Sequence, residues 1–216
     1  MKKYILIGIF LLAAKSDGLS QNDERLKIDS IKRILPSLKD TAKIDCLNKL
    51  GYLYIAAEQK DSAEHYADLA NQEAKTENYI HGIAISFAIK AHIARHFDGD
   101  YIKSEKQAKE SLKWYERTEN KSGIDTAYNY LMYSFFAQSK FDEVIDYGEK
   151  SYAVARQNGD LVQMLSSLSW LLNVYKQTGN YEQSFLIVQK RAELAYRTNN
   201  KIAISTSLYR IGELYL

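Results

Sequence analysis

Apolar and small residues in this chain fall on helical stripes that return about every 40 residues. One position, Gly51, His92, Met132, Leu172 and Gly212, recurs at gaps of 41, 40, 40 and 40. Three residues beyond it stand Tyr54, Arg95, Phe135, Tyr175 and Tyr215. One residue before it come Leu50, Ala91, Leu131, Leu171 and Ile211, and three before those Leu47, Ala88, Tyr128, Leu168 and Leu208. Offsets of three and four lie on one helical face, the face a helix buries. Twelve residues after the marker come Ala63, Ser104, Val144 and Ser184, modest side chains suited to a second helix crossing the first closely. The pattern predicts an all-α chain of antiparallel helix pairs, a solenoid rather than a compact domain.

The breaks between stripes agree. Gly99-Asp100-Tyr101 and Gly179-Asn180-Tyr181 each place a helix stop, a capping residue and an aromatic in order. Glycine accepts the left-handed conformation at a helix end, and Asp or Asn accepts from the free N–H groups of the next helix. Ser139-Lys140-Phe141 and Glu58-Gln59-Lys60 are looser versions. Between repeats the stops are Glu77-Asn78, Glu119-Asn120, Gly159-Asp160 and Asn199-Asn200.

Leu50-Gly51 followed by Tyr54, the Gly-Asp-Tyr turn and the small residue of the second helix resemble the tetratricopeptide repeat (TPR) over about Asp40–Leu216. HEAT and armadillo arrays have similar periods but lack these turns and offsets. Repeat two departs from the pattern at His92 and Arg95. The resemblance implies repeats at about 40–78, 79–120, 121–160 and 161–200, then a partial unit at 201–216. The opening run Asp40–Gly51 is similar to exported TPR sensor regions of Bacteroidota signalling proteins. In those proteins the repeats precede a membrane helix and a histidine kinase or transcriptional-regulator output.

Ahead of the repeats, Lys2-Lys3, the apolar run Tyr4–Ala14 and the small residues Gly18 and Ser20 have the layout of a secretory signal over residues 1–20, with cleavage before Gln21. Eleven apolar residues are too few for a span of about 20. The expectation is an exported, periplasmic chain with no membrane insertion after cleavage. Residues 21–39 read as a capping helix with Ile28, Ile31 and Leu35 on its apolar face, stopped by Pro36. At the other end, Lys201–Leu216 is a first helix without a second. Its stripe asks for a continuation of the chain, for dimerisation through this helix, or for tolerance of exposed apolar surface.

Charge and chemistry narrow the function. The formal charge of +2 disappears with Lys2, Lys3, Lys15 and Asp17, and a neutral chain without a basic stripe is no nucleic-acid binder. The sequence has no phosphate loop, no His-Glu-x-x-His and no Cys pair, so no enzyme class, catalytic residue or cofactor is predicted. Cys46 reads as a small buried hydrophobe. His92 and His96 share a helix face, but His81 is eleven residues off, about 16 Å along the axis, so no metal site is expected.

In arrays of this type the first helices line a concave surface, at positions three before and one after the marker. The resemblance thus implies a peptide-binding groove of Asn48, Tyr52, Ile89, Ile93, Asn129, Tyr133, Ser169, Asn173, Tyr209 and Glu213. Asn can pair with both groups of a peptide bond, and Tyr gives a rigid amphipathic contact. The Lys/Arg clamp by which some family members hold a C-terminal carboxylate is absent from these positions. The expected partner is a protein or peptide.

Overall fold

The computed structural model describes residues 23–197 and 201–214. The signal segment, the Asn199-Asn200 stop and Tyr215 lie outside the described residues. The described chain is helical almost throughout: α1 (23–34), a 3-10 turn Leu35–Ser37, α2 (Asp40–Ala56), α3 (Lys60–Thr76), α4 (Ile80–His96), α5 (Tyr101–Glu116), α6 (Lys121–Ala137), α7 (Phe141–Asn158), α8 (Leu161–Gln177), α9 (Tyr181–Arg197) and α10 (Lys201–Leu214).

Helices of 16 to 18 residues are marginal alone in water, so the stack depends on what each buries against its neighbours. From α2 onward each helix packs on the next in sequence. The even-numbered helices α2, α4, α6 and α8 also touch one another, whereas successive odd-numbered ones stand apart. A layer whose members close up while the opposite layer fans out is the inner side of a curve, so the even helices form the concave face. Between the layers lie Leu47, Leu50, Ala88, Ala91, Leu131, Met132, Leu168 and Leu172, all essentially without solvent contact. Ile28 and Ile31 of α1 join Leu50, Tyr54 and Ile89 in one apolar cluster and cover the first end of the stack.

Where the layers meet, small polar side chains replace bulk. Ser111 donates to the Ala84 carbonyl at 2.8 Å, Ser134 to Ser104 at 3.0 Å and Ser167 to Ser151 at 2.9 Å. A buried hydroxyl whose bonds are made avoids the desolvation penalty and lets the helices approach. Gly123 marks the tightest approach, since a Cβ there would run into the Tyr115 ring.

The turns follow one rule. A residue in the left-handed region closes each described one: Glu58, Asn78, Gly99, Glu119, Ser139, Gly159 and Gly179. The next helix always begins two residues later. The residue between donates its N–H back over the helix end, from Gln59 to Tyr54, Lys140 to Phe135 and Asn180 to Tyr175, each spanning five residues. At the α4–α5 turn the same bond runs from Asp100 to Ala94 and spans six. One extra residue therefore sits in that turn. Capping is by side chain at Asp100, Asn120, Asp160 and Asn180, which accept from Lys103, Gly123, Gln163 and Gln183 N–H.

Candidate functional site: the concave face

The extra residue corrects the register of repeat two. Counting back from the turn makes His92 and Arg95 the equivalents of Gly51 and Tyr54, but the carbonyl that takes the turn hydrogen bond belongs to Ala94. The true series is Tyr54, Ala94, Phe135, Tyr175, and the marker series is Gly51, Ala91, Met132, Leu172. Ile89 and Ile93 consequently do not line the inner face: they are 0% and 1% exposed and belong to the core around Leu50 and Tyr54. Their places are taken by Ala88, which is buried, and His92, which is half-buried.

The other expected groove residues divide. Asn48 is 2% exposed and donates to the Gly82 carbonyl at 3.1 Å, so its amide nitrogen ties α2 to α4, while its Oδ1 has no hydrogen-bond partner among the described residues. Asn129 donates to the Asp125 carbonyl at 3.0 Å and to Gln163 at 3.4 Å, and accepts from Ser166 at 3.4 Å. Both its amide hydrogens are spent within the stack. Ser169 bonds back to the Leu165 carbonyl of its own helix at 2.7 Å. Tyr52 is half-buried, while Tyr133, Asn173 and Tyr209 are exposed. The side chain of Glu213 lies outside the described ones.

What the inner face presents is a row of rings. The Tyr130 hydroxyl is 3.2 Å from Nδ1 of His92, and the Tyr52 phenol, two repeats away in sequence, is near enough to perturb it. Tyr133 meets Trp170 edge-on at 5.9 Å between centroids, and Trp170 meets Phe136 at 5.9 Å. The Arg95 guanidinium lies over Tyr133 at 4.4 Å and near Tyr130 at 5.7 Å. Trp170 and Tyr130 have no signal of their own in the sequence beyond standing next to stripe positions, whereas Arg95 shows there only as a departure from the repeat pattern.

Burial governs the electrostatics. Burial first, then the Arg95 and His96 charges, hold His92 down at about 4, so it is a neutral ring at pH 7. Burial raises Tyr130, and raises Tyr52 well above the ordinary phenol range, so both remain protonated donors. His96 is committed elsewhere, with Nε2 at 3.0 Å from Glu58. Among the described residues no three His, Cys, Asp or Glu side chains converge as metal ligands.

Next to Tyr52 the face opens into a hollow of about 570 Å³ bounded by Glu24, Asp45, Asn48, Tyr79, His81 and Ile85. Tyr79 closes its rim by donating to Asp45 at 3.1 Å, and burial, with Asp45 beside it, pushes the phenol up to about 12. Rings, a neutral imidazole and a few unspent polar groups suit adhesion to a partially apolar chain.

No protein-family model and no curated protein matches the sequence. Solved structures do resemble the fold. BtubC (BKLC) from P. vanneervenii superposes with a TM-score of 0.72 at 19% identity, covering 85% of this chain and 78% of its own. Aspartyl phosphate phosphatase F from Bacillus subtilis gives a TM-score of 0.75 at 14% identity, over 96% of this chain and 59% of its own. A Signal Transduction ATPase with Numerous Domains with a tetratricopeptide repeat sensor, from Pyrococcus horikoshii, gives 0.75 at 16%, over 85% of this chain and 28% of its own. At such identities the likeness concerns architecture, and the architecture is an all-α solenoid of TPR-like helix pairs.

Proposed function

We propose that this chain is an exported, periplasmic, non-enzymatic scaffold that binds a protein or peptide segment along the concave face of its solenoid. The observation that carries the reading is the row of Tyr52, His92, Tyr133 and Trp170 on the layer where successive helices close up, with Tyr133 still 37% exposed. Aromatic groups left partly open on a rigid concave surface provide contact area without much entropy loss. Asn173 and Tyr209 extend the same face toward the last helix. The groove is thus Tyr52, His92, Tyr133, Trp170, Asn173 and Tyr209, and Asn48 and Asn129 act as struts beneath it.

The test is a peptide selection on the chain lacking residues 1–20, with the affinity of a selected peptide measured by calorimetry. Replacing Tyr52 and Tyr133 together by Ala should weaken that peptide at least tenfold, with helicity retained by circular dichroism. Unchanged affinity in a folded double variant sinks the groove.

A second reading has one observation behind it: a structural neighbour carries its repeats as a sensor. Under it this region senses a ligand on behalf of a membrane-bound histidine kinase or transcriptional regulator. Among the described residues no helix is long and apolar enough to cross a membrane. Fractionation of native cells separates the two readings, because a species much larger than 24.8 kDa in the membrane fraction supports the sensor.

A further inference from the structure

Arg95 is a cation of the inner face with which no acidic side chain among the described residues pairs. It is half-buried, and among the described residues its Nε, which is out of water, has no hydrogen-bond acceptor and its guanidinium takes part in no ion pair. The acidic groups around this end of α4 are engaged: Glu58 holds His96 at 3.0 Å, and Asp98 holds Lys60 at 2.6 Å and Lys103 at 3.5 Å. The guanidinium instead lies over the Tyr133 ring at 4.4 Å. A ring face attracts the cation but accepts none of its five N–H donors in line. Arginine does not shed its proton, so a donor set kept partly from water stays unmatched. His92 beside it is neutral and does not contribute a charge.

We propose that Arg95 anchors an acidic residue of the bound segment, accepting the carboxylate of a Glu or Asp side chain between Tyr133 and His92. This rests on the concave-face reading above and gives it a specificity. A planar guanidinium stacked on a ring presents its edge, the geometry a carboxylate meets with two parallel hydrogen bonds. The carboxylate is a side chain's rather than a chain terminus. Groove residues continue on both sides of Arg95, Tyr52 and His92 toward α2, and Tyr133, Trp170 and Asn173 toward α8. A terminal carboxylate held there would leave half of them empty.

The experiment follows the Arg95 Nε–Hε resonance, assigned with the Arg95→Lys variant, and Trp170 fluorescence. The probes are acetyl-Ala-Glu-Ala-amide, acetyl-Ala-Gln-Ala-amide, acetyl-Ala-Ala-Ala with a free carboxylate, and inorganic phosphate. The Glu peptide should move the Arg95 signal saturably in the millimolar range and bind at least tenfold more tightly than the Gln peptide. That preference should shrink several-fold when salt is raised well beyond the physiological range. Arg95→Gln should abolish the preference, and Arg95→Lys should keep part of it because charge survives without the planar fork. Equal binding of the Glu and Gln peptides overturns the anchor while leaving the groove standing. Tighter binding of phosphate or of the free-carboxylate peptide also overturns it. A Trp170 signal unmoved by every peptide fails the concave-face reading itself.

Discussion

Repeat three (α6 and α7) and repeat two (α4 and α5) are built on one plan and stabilised differently. In repeat three Phe135 stacks on Tyr147 at 5.5 Å with 19° between planes, as Tyr54 does on Tyr66 in repeat one at 5.3 Å and 7°. In repeat two the corresponding residue is Ala94, and no such pair exists. Repeat three keeps a carboxylate, Asp125, at the inner position where repeat two has Ala84. The turn of repeat three closes on Ser139 in the left-handed region, that of repeat two on Gly99 after one more residue. Arg95 of repeat two stands at the position that Phe136 holds in repeat three, and each meets a ring of the following repeat, Tyr130 and Trp170 respectively. The difference teaches that changing the residue at one shared position, Arg95 for Phe136, changes the chemistry of a junction while its geometry is kept.

The largest effect should come from removing the stacked pair. Phe135→Ala creates a cavity against Tyr147 and is expected to cost about 3–5 kcal/mol by urea unfolding. A loss below ~1 kcal/mol would mean that repeat three, like repeat two, does without it.

Asp125 is next. It is 7% exposed, its Oδ1 has no hydrogen-bond partner, and burial, then the nearby Asp160, push its pKa up to about 6 against a bond from Ser151. A raised folded pKa means the native state holds the proton more tightly, so this group adds stability as pH falls from about 6 to 3.8 and costs stability above it. Asp125→Asn should therefore be more stable than the parent at pH 7.5, by up to about 3 kcal/mol, and should lose that advantage near pH 4. His92 works with the opposite sign: its lowered pKa means stability is lost as pH falls from 6.5 toward about 4. The parent should show little net slope in this window and the Asp125→Asn variant a clear fall. A parallel pH profile for both proteins would show that Asp125 is not buried as a strained carboxylate.

The smallest effects separate the two turns. Ser139→Gly should stabilise by about 1 kcal/mol, because Ser139 occupies a conformation that costs an L side chain about that much. Gly99→Ala should destabilise by a similar amount. Melting temperatures that shift in the same direction for both would refute the shared left-handed closure.

Much of this architecture is legible in the sequence because helix stripes and turn residues are both local signals. Register in repeat two was not. The run Ile83–Ala94 is apolar or small at nearly every position, so a stripe shifted by one residue reads as well as the true one. Only the six-residue turn bond distinguishes them. The engagement of Asn129 within the stack is hidden from the sequence for a related reason. Polarity marks a side chain as needing partners, but sequence does not say whether a neighbouring carbonyl has already supplied them. In the repeats of Tyr52 and Tyr133 the turns are regular, so the register read from the stripe and the register of the structure coincide.

The extra residue before Gly99 bears on how such a chain tolerates changes in length. Inserted within a helix, one residue would rotate everything beyond it by about 100° and exchange buried for exposed faces. Held in the turn, it adds a bulge, and α5 still starts two residues after the left-handed closure, as α3, α4 and α6 to α9 do. The stack thus behaves like type set with line breaks: a surplus character lengthens one line, and the next begins at the margin.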